Sequence, residues 1–334
     1  MKCFTSCLTL SALLALSAPA AADPVDLKEL AAYAKVSETS LSEALKLAQF
    51  QPKIIATMNR PSEGKPWWQY RKIFITTSRI NAAVNFYKKY EKQLNQATQI
   101  YGVPQEIICA ILGVETYFGR NMGSWRVLDA LYTLGFNYPK RQSYFSKEFA
   151  NFVALCLRER WDITTVYGSY AGAMGMGQFM PSSYLNYAID FDNDGHVNLF
   201  NDPDDAIGSV ANYFKAHGWM TGRGIYYPVH IHNADAQKLM DLNWNLTPEI
   251  LYKSGTTTKV NLSADQNIRL FSFALEDGST SYAVGLNNFK TIMRYNTSPL
   301  YARAVYELAE FIRMEYVKQK NAGGFEIHPQ GRQP

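Results

Sequence analysis

The sequence has little that would support the commoner kinds of metal or nucleotide chemistry. Its four cysteines and five histidines form neither an HExxH motif nor a paired Cys/His cluster, which disfavours a zinc site. No glycine-rich loop ends in the lysine that a phosphate-binding loop needs. No basic run is interleaved with aromatic residues, so the net charge of +4 suits an anionic surface without indicating nucleic acid.

Long hydrophobic runs are also missing. The apolar stretch Leu8–Leu16 is too short to cross a membrane. Lys2 precedes it and the small residues Pro19–Ala22 follow it, which predicts a secretory signal peptide cleaved after Ala22. Cys3 and Cys7 lie before the apolar stretch, so the cleavage point has no cysteine for a lipid anchor. We therefore expect a soluble exported protein of 312 residues, without a transmembrane segment and with a net charge of +3.

Two cysteines, Cys109 and Cys156, remain after cleavage. An oxidising compartment would allow a disulfide between them. Each lies in an apolar helical segment, however, and no sequence rule fixes the distance between them. Two buried thiols are the favoured interpretation, and the disulfide stays open.

Apolar spacing of three and four residues predicts most of the chain to be helical. Residues 51–75, which hold several prolines and Trp67-Trp68, indicate an ordered loop. After about residue 225 the pattern becomes β-like, and Glu276–Ser279 indicates a hairpin loop. The predicted helices are 27–50, 79–99, 104–118, 144–159, 203–218 and 299–318, and the β-like segments are 226–231, 256–262, 268–275 and 281–284. The expected class is α+β, mainly α, with a helical core around a small β insertion.

One carboxylate, Glu115, lies within the apolar run ILGVETYFGR. The spacing predicts a helix that has Pro104 as its first residue and Gly119 as its C-cap. Glu115 falls on the same face as Ile111 and Leu112 and so points toward the core. A charge there must be paired, for instance with Arg120 or Arg126, or the carboxyl must be protonated. A protonated glutamic acid is suited to general acid catalysis.

Two further segments suit a binding groove. Gly172, Gly175 and Gly177 allow close backbone approach, and they form either a groove wall with polar anchors at Ser169 and Gln178 or a tight helix crossing. Residues 287–301 carry aromatic and amide side chains that suit a sugar, although an ordinary aromatic-rich loop has the same composition.

The segment Asp190–Asn198 matches the start of an EF-hand calcium loop. Carboxylates occupy positions 1, 3 and 5 of the loop, and glycine occupies position 6. His196 occupies the position whose backbone carbonyl binds the calcium ion. Position 12 is Asn201 rather than glutamate, so Asp202, Asp204 or Asp205 must supply the last ligand. An Asp-rich turn is the alternative, but three carboxylates this close repel one another without a cation.

The 22 tyrosines and the single core-facing glutamate favour a carbohydrate enzyme over a small-molecule enzyme. Most glycosidases use a second carboxylate about 5–10 Å from the first. Asp129 is a candidate for it, although no pattern distinguishes it.

Six segments together make the chain resemble the membrane-bound lytic murein transglycosylase B family. They are GVETYFGRNMG (113–123), ALYTLGFNYPKRQSYF (130–145), SYAGAMGMGQFMPSSY (169–184), DFDNDGHVNLF (190–200), DAIGSVANYFKAHGW (205–219) and NFKTIMRYNTSPLYA (288–302). They keep a fixed order over nearly 200 residues, which makes the resemblance specific, whereas the N-terminal helices and the β insertion match only in character.

The resemblance implies a lysozyme-like helical core with an EF-hand-like calcium loop, an added α-helical domain and a small β domain. The signal peptide is expected at 1–22, followed by an α-helical domain at 23–78 that a helix at about 299–320 completes. The catalytic core is expected at 79–225, with the calcium loop at 190–205. The β domain follows at 226–286, the groove segment at 287–302 and the tail at 321–334. The lack of a lipid-attachment cysteine departs from the membrane-bound members and favours a soluble periplasmic form.

The family cleaves the MurNAc–GlcNAc β-1,4 bond of peptidoglycan without water, and the resemblance places Glu115 on the catalytic position. One carboxyl would protonate the glycosidic oxygen and then act as base on the MurNAc 6-hydroxyl, forming a 1,6-anhydro ring. The implied glycan-groove residues are Tyr117, Ser169, Gln178, Tyr213, Tyr295, Asn296 and Tyr301. Lys140 and Arg141 fall where the family has a basic pair near bound peptidoglycan.

The resemblance also implies calcium ligands at Asp190, Asp192, Asp194 and His196, with Asp205 as the last ligand if Asn201 is an extra loop residue. The expected cofactor is a structural Ca²⁺, with no organic cofactor. Expected partners are peptidoglycan glycan strands and other cell-wall enzymes. Two alternatives stay open: a hydrolytic lysozyme-like muramidase and a non-catalytic peptidoglycan-binding protein.

Overall fold

The computed structural model describes residues 24–59, 64–232 and 234–322. The predicted signal peptide and residues 323–334 of the predicted tail lie outside the described residues. The described chain is mainly helical with two small antiparallel sheets, which confirms the mainly α class. No helix in the described ranges combines the length and the apolar character needed to cross a membrane.

The N-terminal part contains more helices than the sequence indicated. The predicted helix 27–50 is two helices, α1 (Leu27–Ala34) and α2 (Glu38–Leu47), because Lys35 adopts a left-handed conformation between them. The predicted loop 51–75 is wrong, since it contains α3 (Pro52–Met58) and α4 (Trp67–Phe74). Proline is tolerated in the first helical turn, where its missing N–H costs no hydrogen bond.

The predicted helix 79–99 is also interrupted. It consists of α5 (Thr77–Lys89) and α6 (Glu91–Tyr101), which meet at the non-helical Tyr90. The chain continues into α7 (Gln105–Thr116), the helix that carries Glu115. Nearly every residue of α7 is buried, so it is enclosed by its neighbours rather than packed on one face. Its neighbours include α5, α11 and the last helix, α15 (Pro299–Ala322).

The remaining core helices surround this centre. They are α8 (Val127–Asn137), α9 (Gln142–Glu159), α10 (Pro181–Tyr187) and α11 (Pro203–Ala216). Asp202 caps α11 by accepting the backbone N–H groups of Asp204 and Asp205, as its sequence position predicted. Strands β1 (Trp125–Arg126) and β2 (Tyr167–Gly168) pair as a short antiparallel ribbon.

The β insertion forms a four-stranded antiparallel sheet. Its strands are β3 (Tyr226–His230), β4 (Thr257–Thr258), β5 (Arg269–Ala274) and β6 (Thr280–Gly285), in the order β4-β3-β6-β5. The predicted hairpin between β5 and β6 is confirmed. Two short helices, α12 (Ala236–Asp241) and α13 (Pro248–Lys253), were not predicted. An apolar cluster of its own, including Leu246, Leu251 and Val284, gives this part a separate core.

The chain returns to the main core through α14 (Asn287–Tyr295), a helix where the sequence suggested an aromatic-rich loop. The last helix then runs from Pro299 to Ala322. Cys109 and Cys156 are both buried free thiols, as the favoured interpretation predicted.

Candidate active site

Glu115 lies in the last turn of α7, where the helix ends abruptly. Tyr117, not the predicted Gly119, is the left-handed capping residue, with φ of 54°. The amide N–H groups of Tyr117 and Phe118 donate to the carbonyls of Gly113 and Leu112, which satisfies the last turn. Pro104 precedes the first helical residue rather than being it. Because Tyr117, Phe118 and Gly119 all have positive φ, the chain turns sharply just beyond Glu115.

The Glu115 side chain is half-buried and forms no ion pair with any residue that the structure describes. The alternative of an arginine partner is not observed among the described residues, since Arg126 pairs with Asp129 and Arg120 lies against the Tyr117 ring. Burial raises the pKa of Glu115 to about 7, and a hydrogen bond from the Tyr301 hydroxyl opposes part of that rise. The carboxyl is therefore protonated in a large fraction of molecules near neutral pH.

Tyr301 is the direct partner of this carboxyl. Its hydroxyl donates to Glu115 Oε1 at 2.5 Å, and its side chain is buried in the first turns of α15. Burial and the nearby Glu115 raise the pKa of Tyr301 well above 10, so the phenol stays a donor. Tyr70, which no sequence pattern marked, lies close enough to raise the pKa of Tyr301 further.

Tyr295 joins the end of α14 to the glycine-rich segment. Its hydroxyl donates to the carbonyl of Gly177 at 2.6 Å. A Cβ on Gly177 would lie 3.0 Å from that hydroxyl oxygen, so the absence of a side chain allows this approach. Tyr213 packs against Tyr295, with ring centroids 4.8 Å apart, and donates its own hydroxyl to the carbonyl of Arg294.

The glycine-rich segment 169–180 contains no helix, so it does not form the tight helix crossing that was one interpretation of its sequence. Gly172 and Gly175 have positive φ and pack so tightly that a Cβ would clash with Leu131 and Leu199. Ser169 and Gln178 are half-buried polar residues, as expected of anchors. Ser169 Oγ accepts the N–H of Ala173, and Gln178 Nε2 donates to the carbonyls of Met122 and Gly175.

Thr116 is a positioning residue that the sequence did not reveal. Its hydroxyl donates to the carbonyl of Met176 at 2.8 Å and accepts the N–H of Gly119. It therefore fixes the turn after Glu115 to the glycine-rich segment. A threonine in an apolar helix has no sequence pattern that predicts such a contact.

The remaining predicted site residues, Asn296, Lys140 and Arg141, are all exposed. Asn296 is exposed at the entry to α15, where its side chain accepts the N–H of Ser298. Lys140 and Arg141 are exposed on a short 3₁₀ helix before α9. Arg141 stacks on Tyr144, which is near enough to Tyr213 to raise the pKa of its phenol. Lys140 instead donates to the side chain of Asn59 at 3.4 Å.

Asp129, the candidate second carboxylate, has a structural position. It is buried, pairs with Arg126, and accepts the backbone N–H of Gln49 at 2.9 Å. These contacts hold the chain after α2 against α8. Burial causes the rise in the Glu115 pKa and the Tyr301 hydrogen bond opposes it, and no second acid of the described residues contributes.

The predicted calcium loop brings three carboxylates together. Oxygens of Asp190, Asp192 and Asp194 lie within 4.8 Å of one another. Asp190 also accepts the N–H groups of Asp194 and Gly195, which curls the loop around these oxygens. Hard carboxylate oxygens at this spacing suit Ca²⁺.

Asp205 and His196 lie at the edge of this cluster. Asp205 is buried and accepts the N–H groups of Phe191 and Asn198, so it joins the two ends of the loop. Burial raises the pKa of Asp205 to about 6. His196 is exposed and donates its backbone N–H to Asp194.

Comparison with known proteins places these features in one family. Residues 20–310 match the model of the transglycosylase SLT domain. The membrane-bound lytic murein transglycosylase B of Escherichia coli (strain K12) is 42% identical over 296 residues, which cover 89% of this chain and 80% of that protein. The catenated lytic transglycosylase SltB1 from Pseudomonas aeruginosa is similar in structure, with a TM-score of 0.81 at 43% identity over 87% of this chain and 96% of that one. Escherichia coli lytic transglycosylase Slt35, solved in complex with calcium, has a TM-score of 0.78 at 42% identity over 87% of this chain and 92% of its own.

Proposed function

Because the chain belongs to the transglycosylase SLT domain family and is a peptidoglycan lytic transglycosylase, we propose that Glu115 is its single catalytic acid and base. One observation carries this assignment: a half-buried carboxyl with a pKa of about 7 is hydrogen-bonded to a buried tyrosine and has no carboxylate partner. A general acid works best when its pKa lies near the working pH.

The reaction uses this one group twice. The Glu115 O–H protonates the glycosidic oxygen between MurNAc and GlcNAc as the C1–O bond breaks, and the GlcNAc side leaves with a free hydroxyl. The MurNAc 6-hydroxyl then attacks C1, and its proton returns to Glu115, which closes the 1,6-anhydro ring without adding water. The Tyr301 hydroxyl stabilises the carboxylate between these two steps by donating to it.

Product analysis distinguishes this function from its alternatives. Mass spectrometry of digested sacculi should show 1,6-anhydro-MurNAc ends from the wild-type protein and almost none from Glu115→Gln. The matched control is Glu249→Gln, an exposed carboxylate paired with Lys253 in the β domain, which should cleave like the wild type. Reducing-end MurNAc would establish a hydrolytic muramidase instead, and a wild-type protein that binds sacculi without cleaving them would establish a non-catalytic binding protein.

The remaining site residues that the resemblance implies are proposed to bind the glycan. We propose that the sugar units are contacted by Ser169, Gln178, Tyr213, Tyr295, Asn296 and Tyr117. In support, Tyr117 is two residues beyond Glu115, and Glu115 is near enough to Tyr295 to raise the pKa of its phenol. Lys140 and Arg141 would bind anionic groups of peptidoglycan further along, since both are exposed cations. A Tyr213→Phe variant that raises KM without changing the product would support this placement.

We also propose that Asp190, Asp192, Asp194, the backbone carbonyl of His196 and Asp205 hold a structural Ca²⁺. The cluster of oxygens and the calcium complex of Slt35 support the site. Calcium bound only by the folded chain would stabilise it by about 2.7 kcal/mol at a hundredfold excess over Kd. The melting temperature should therefore rise with added calcium and cease to do so in Asp190→Ala, whereas Asp277→Ala in the β5–β6 hairpin should respond like the wild type. An unchanged wild-type melting temperature would contradict the site.

The proposed location is the periplasm, where peptidoglycan is accessible. The support is the signal-peptide pattern of residues 1–22. Sequencing the N-terminus of the protein from a periplasmic fraction should find Asp23 first, and an intact Met1 would contradict export. Association with other cell-wall enzymes stays a prediction.

A further inference from the structure

A groove lies between one face of α5 and the turn that follows Glu115. Arg79, Ala82, Phe86 and Lys89 recur at spacings of three and four, which places them on the same face of α5. Opposite them, Phe118 stacks on Phe86 with ring centroids 4.8 Å apart. The space between is a cavity of about 280 Å³ that Lys89, Phe118, Arg120 and Met176 help to line. We call it the α5 groove.

Arg120 and Lys89 line the α5 groove, and Arg79 lies beside it against the Tyr117 ring, without a matching carboxylate among the residues that line the cavity. The guanidinium carbons of Arg79 and Arg120 lie 5.2 and 5.0 Å from the centroid of the same Tyr117 ring. Neither arginine forms an ion pair with any residue in the described ranges, and no carboxylate lines the cavity there. Lys89 is exposed at the rim and lies over Tyr90.

Arg79 is the least satisfied of these cations. One of its terminal nitrogens donates to the carbonyl of Ile73, but its Nε is buried without a partner. Burial lowers the pKa of Arg79, since its charge is removed from water with little compensation. Two like charges on one ring repel each other, so an anion between or beside them would stabilise both.

The α5 groove shares its walls with the catalytic centre. Tyr117 is two residues beyond Glu115 and forms the cap of its helix. Met176 lines the cavity, and its carbonyl accepts the Thr116 hydroxyl. The α5 groove is thus next to the turn that follows Glu115, within reach of a substituent on a sugar bound there.

We propose that Arg79 and Arg120, which lie against the same Tyr117 ring, bind a carboxylate carried by the muramoyl unit of the substrate, with Tyr117 and Phe118 contacting the apolar part of the same substituent. This inference rests on the proposed function, because it requires peptidoglycan at Glu115. Muramoyl units carry such a carboxylate either in the stem peptide or, when the peptide is removed, in the lactyl group. The guanidinium fork of arginine suits a carboxylate better than the point charge of lysine does.

The test compares three forms of one substrate: glycan strands with intact stem peptides, the same strands with their carboxylates converted to amides, and strands stripped of peptide by an amidase. For the wild-type protein, amidation should raise KM about tenfold, the size expected for losing a charge-assisted hydrogen bond. Arg120→Gln and Arg79→Gln should each raise KM by a similar factor on intact strands, with a smaller change in kcat. On amidated strands the difference between these variants and the wild type should disappear.

The intact and the stripped strands together identify the source of the carboxylate. On intact strands the lactyl carboxyl is bonded to the peptide as an amide, so an Arg120→Gln effect there assigns a carboxylate of the stem peptide. An effect that also persists on stripped strands shows that the freed lactyl carboxylate occupies the same site, and one that vanishes shows that it does not; both outcomes support the site. Arg120→Lys should recover part of the loss, which a merely structural role would not predict. Arg313→Gln, an exposed arginine paired with Glu310 on α15, is the matched control and should keep wild-type KM and kcat.

Arg120 is exposed, so its variant should fold, and melting temperatures of all variants check this for Arg79. The inference is overturned if amidation leaves wild-type KM unchanged, or if the arginine variants lose the same factor on amidated as on intact strands. If the wild type cleaves none of the three substrates, the proposed function itself fails, which is a different result.

Discussion

Replacing Glu115 by glutamine should stabilise the protein while it removes activity. The carboxyl has a pKa of about 7 in the folded chain because of burial, against an ordinary value of 4.5. Between these values the folded chain binds more protons than the unfolded chain, so stability falls as pH rises. The stability associated with protonated Glu115 is fully present below about pH 4.5 and is lost as pH rises through about 7.

The magnitude follows from the difference in pKa. About 2.5 pH units correspond to about 3 kcal/mol in the free energy of unfolding. This is an upper value, since Glu115 is half-buried and water screens part of its charge. Glutamine has no ionisation to lose and can still accept the Tyr301 hydrogen bond through its carbonyl oxygen. The variant should therefore gain up to about 3 kcal/mol over the wild type between about pH 4 and about pH 8.

Urea unfolding at about pH 4 and about pH 8, followed by tryptophan fluorescence, measures the difference in stability between variant and wild type. Release of soluble fragments from sacculi measures activity in the same samples. Glu249→Gln is the control, because its exposed carboxylate should leave both quantities unchanged. An equal stability difference at the two pH values would refute the raised pKa. A Glu115→Gln variant that still cleaves sacculi would refute the catalytic assignment.

Three more variants test the surroundings of this carboxyl. Tyr301→Phe removes a donor to the carboxylate, so the pKa of Glu115 should rise. The alkaline limb of the pH profile of kcat/KM should then move up by about one pH unit. An unmoved or lowered limb would count against the 2.5 Å hydrogen bond. Asp129→Ala leaves Arg126 without its partner, so the free energy of unfolding in urea should fall by about 3 kcal/mol while kcat stays nearly unchanged. A thousandfold loss of kcat would instead give Asp129 a chemical role. Gly175→Ala would place a Cβ 2.7 Å from the carbonyl oxygen of Leu199. The control is Gly278→Ala, because Gly278 also has positive φ but open space around it. The free energy of unfolding should fall by about 2 kcal/mol more in Gly175→Ala than in the control, and equal losses would contradict the tight packing.

The sequence predicted elements well where apolar spacing and end signals agree. Asp202-Pro203 at the start of α11 and the Glu276–Ser279 hairpin are examples. The sequence-based prediction was wrong where two sequence features at the same position favoured different structures. Pro52 and Pro66 suggested a loop, yet both stand at helix starts, where proline is compatible with the backbone. The apolar period continues across Tyr90, so it did not reveal that the backbone leaves the helical conformation there.

The candidate site shows the same limit. Spacing alone placed Glu115 toward the core, but the contact with Tyr301 joins residues 186 positions apart. Periodicity carries no information about such a pair, and only the family resemblance brought the two segments together. Arg120 and Arg126 were considered as partners because they are near in sequence, but the turn at Tyr117–Gly119 directs the chain elsewhere.

The position of Tyr301 has a consequence for how this protein becomes active during its synthesis. Glu115 and its helix are made early, whereas the donor that completes the acid lies on the last helix, beyond the whole β insertion. A chain interrupted at any point before residue 301 contains the acid without its donor. Contacts between such distant segments form late, because a long loop must close first. With Glu115 as the proposed acid, the capacity to cut the cell wall would arise only when residue 301 has been delivered and folded against it.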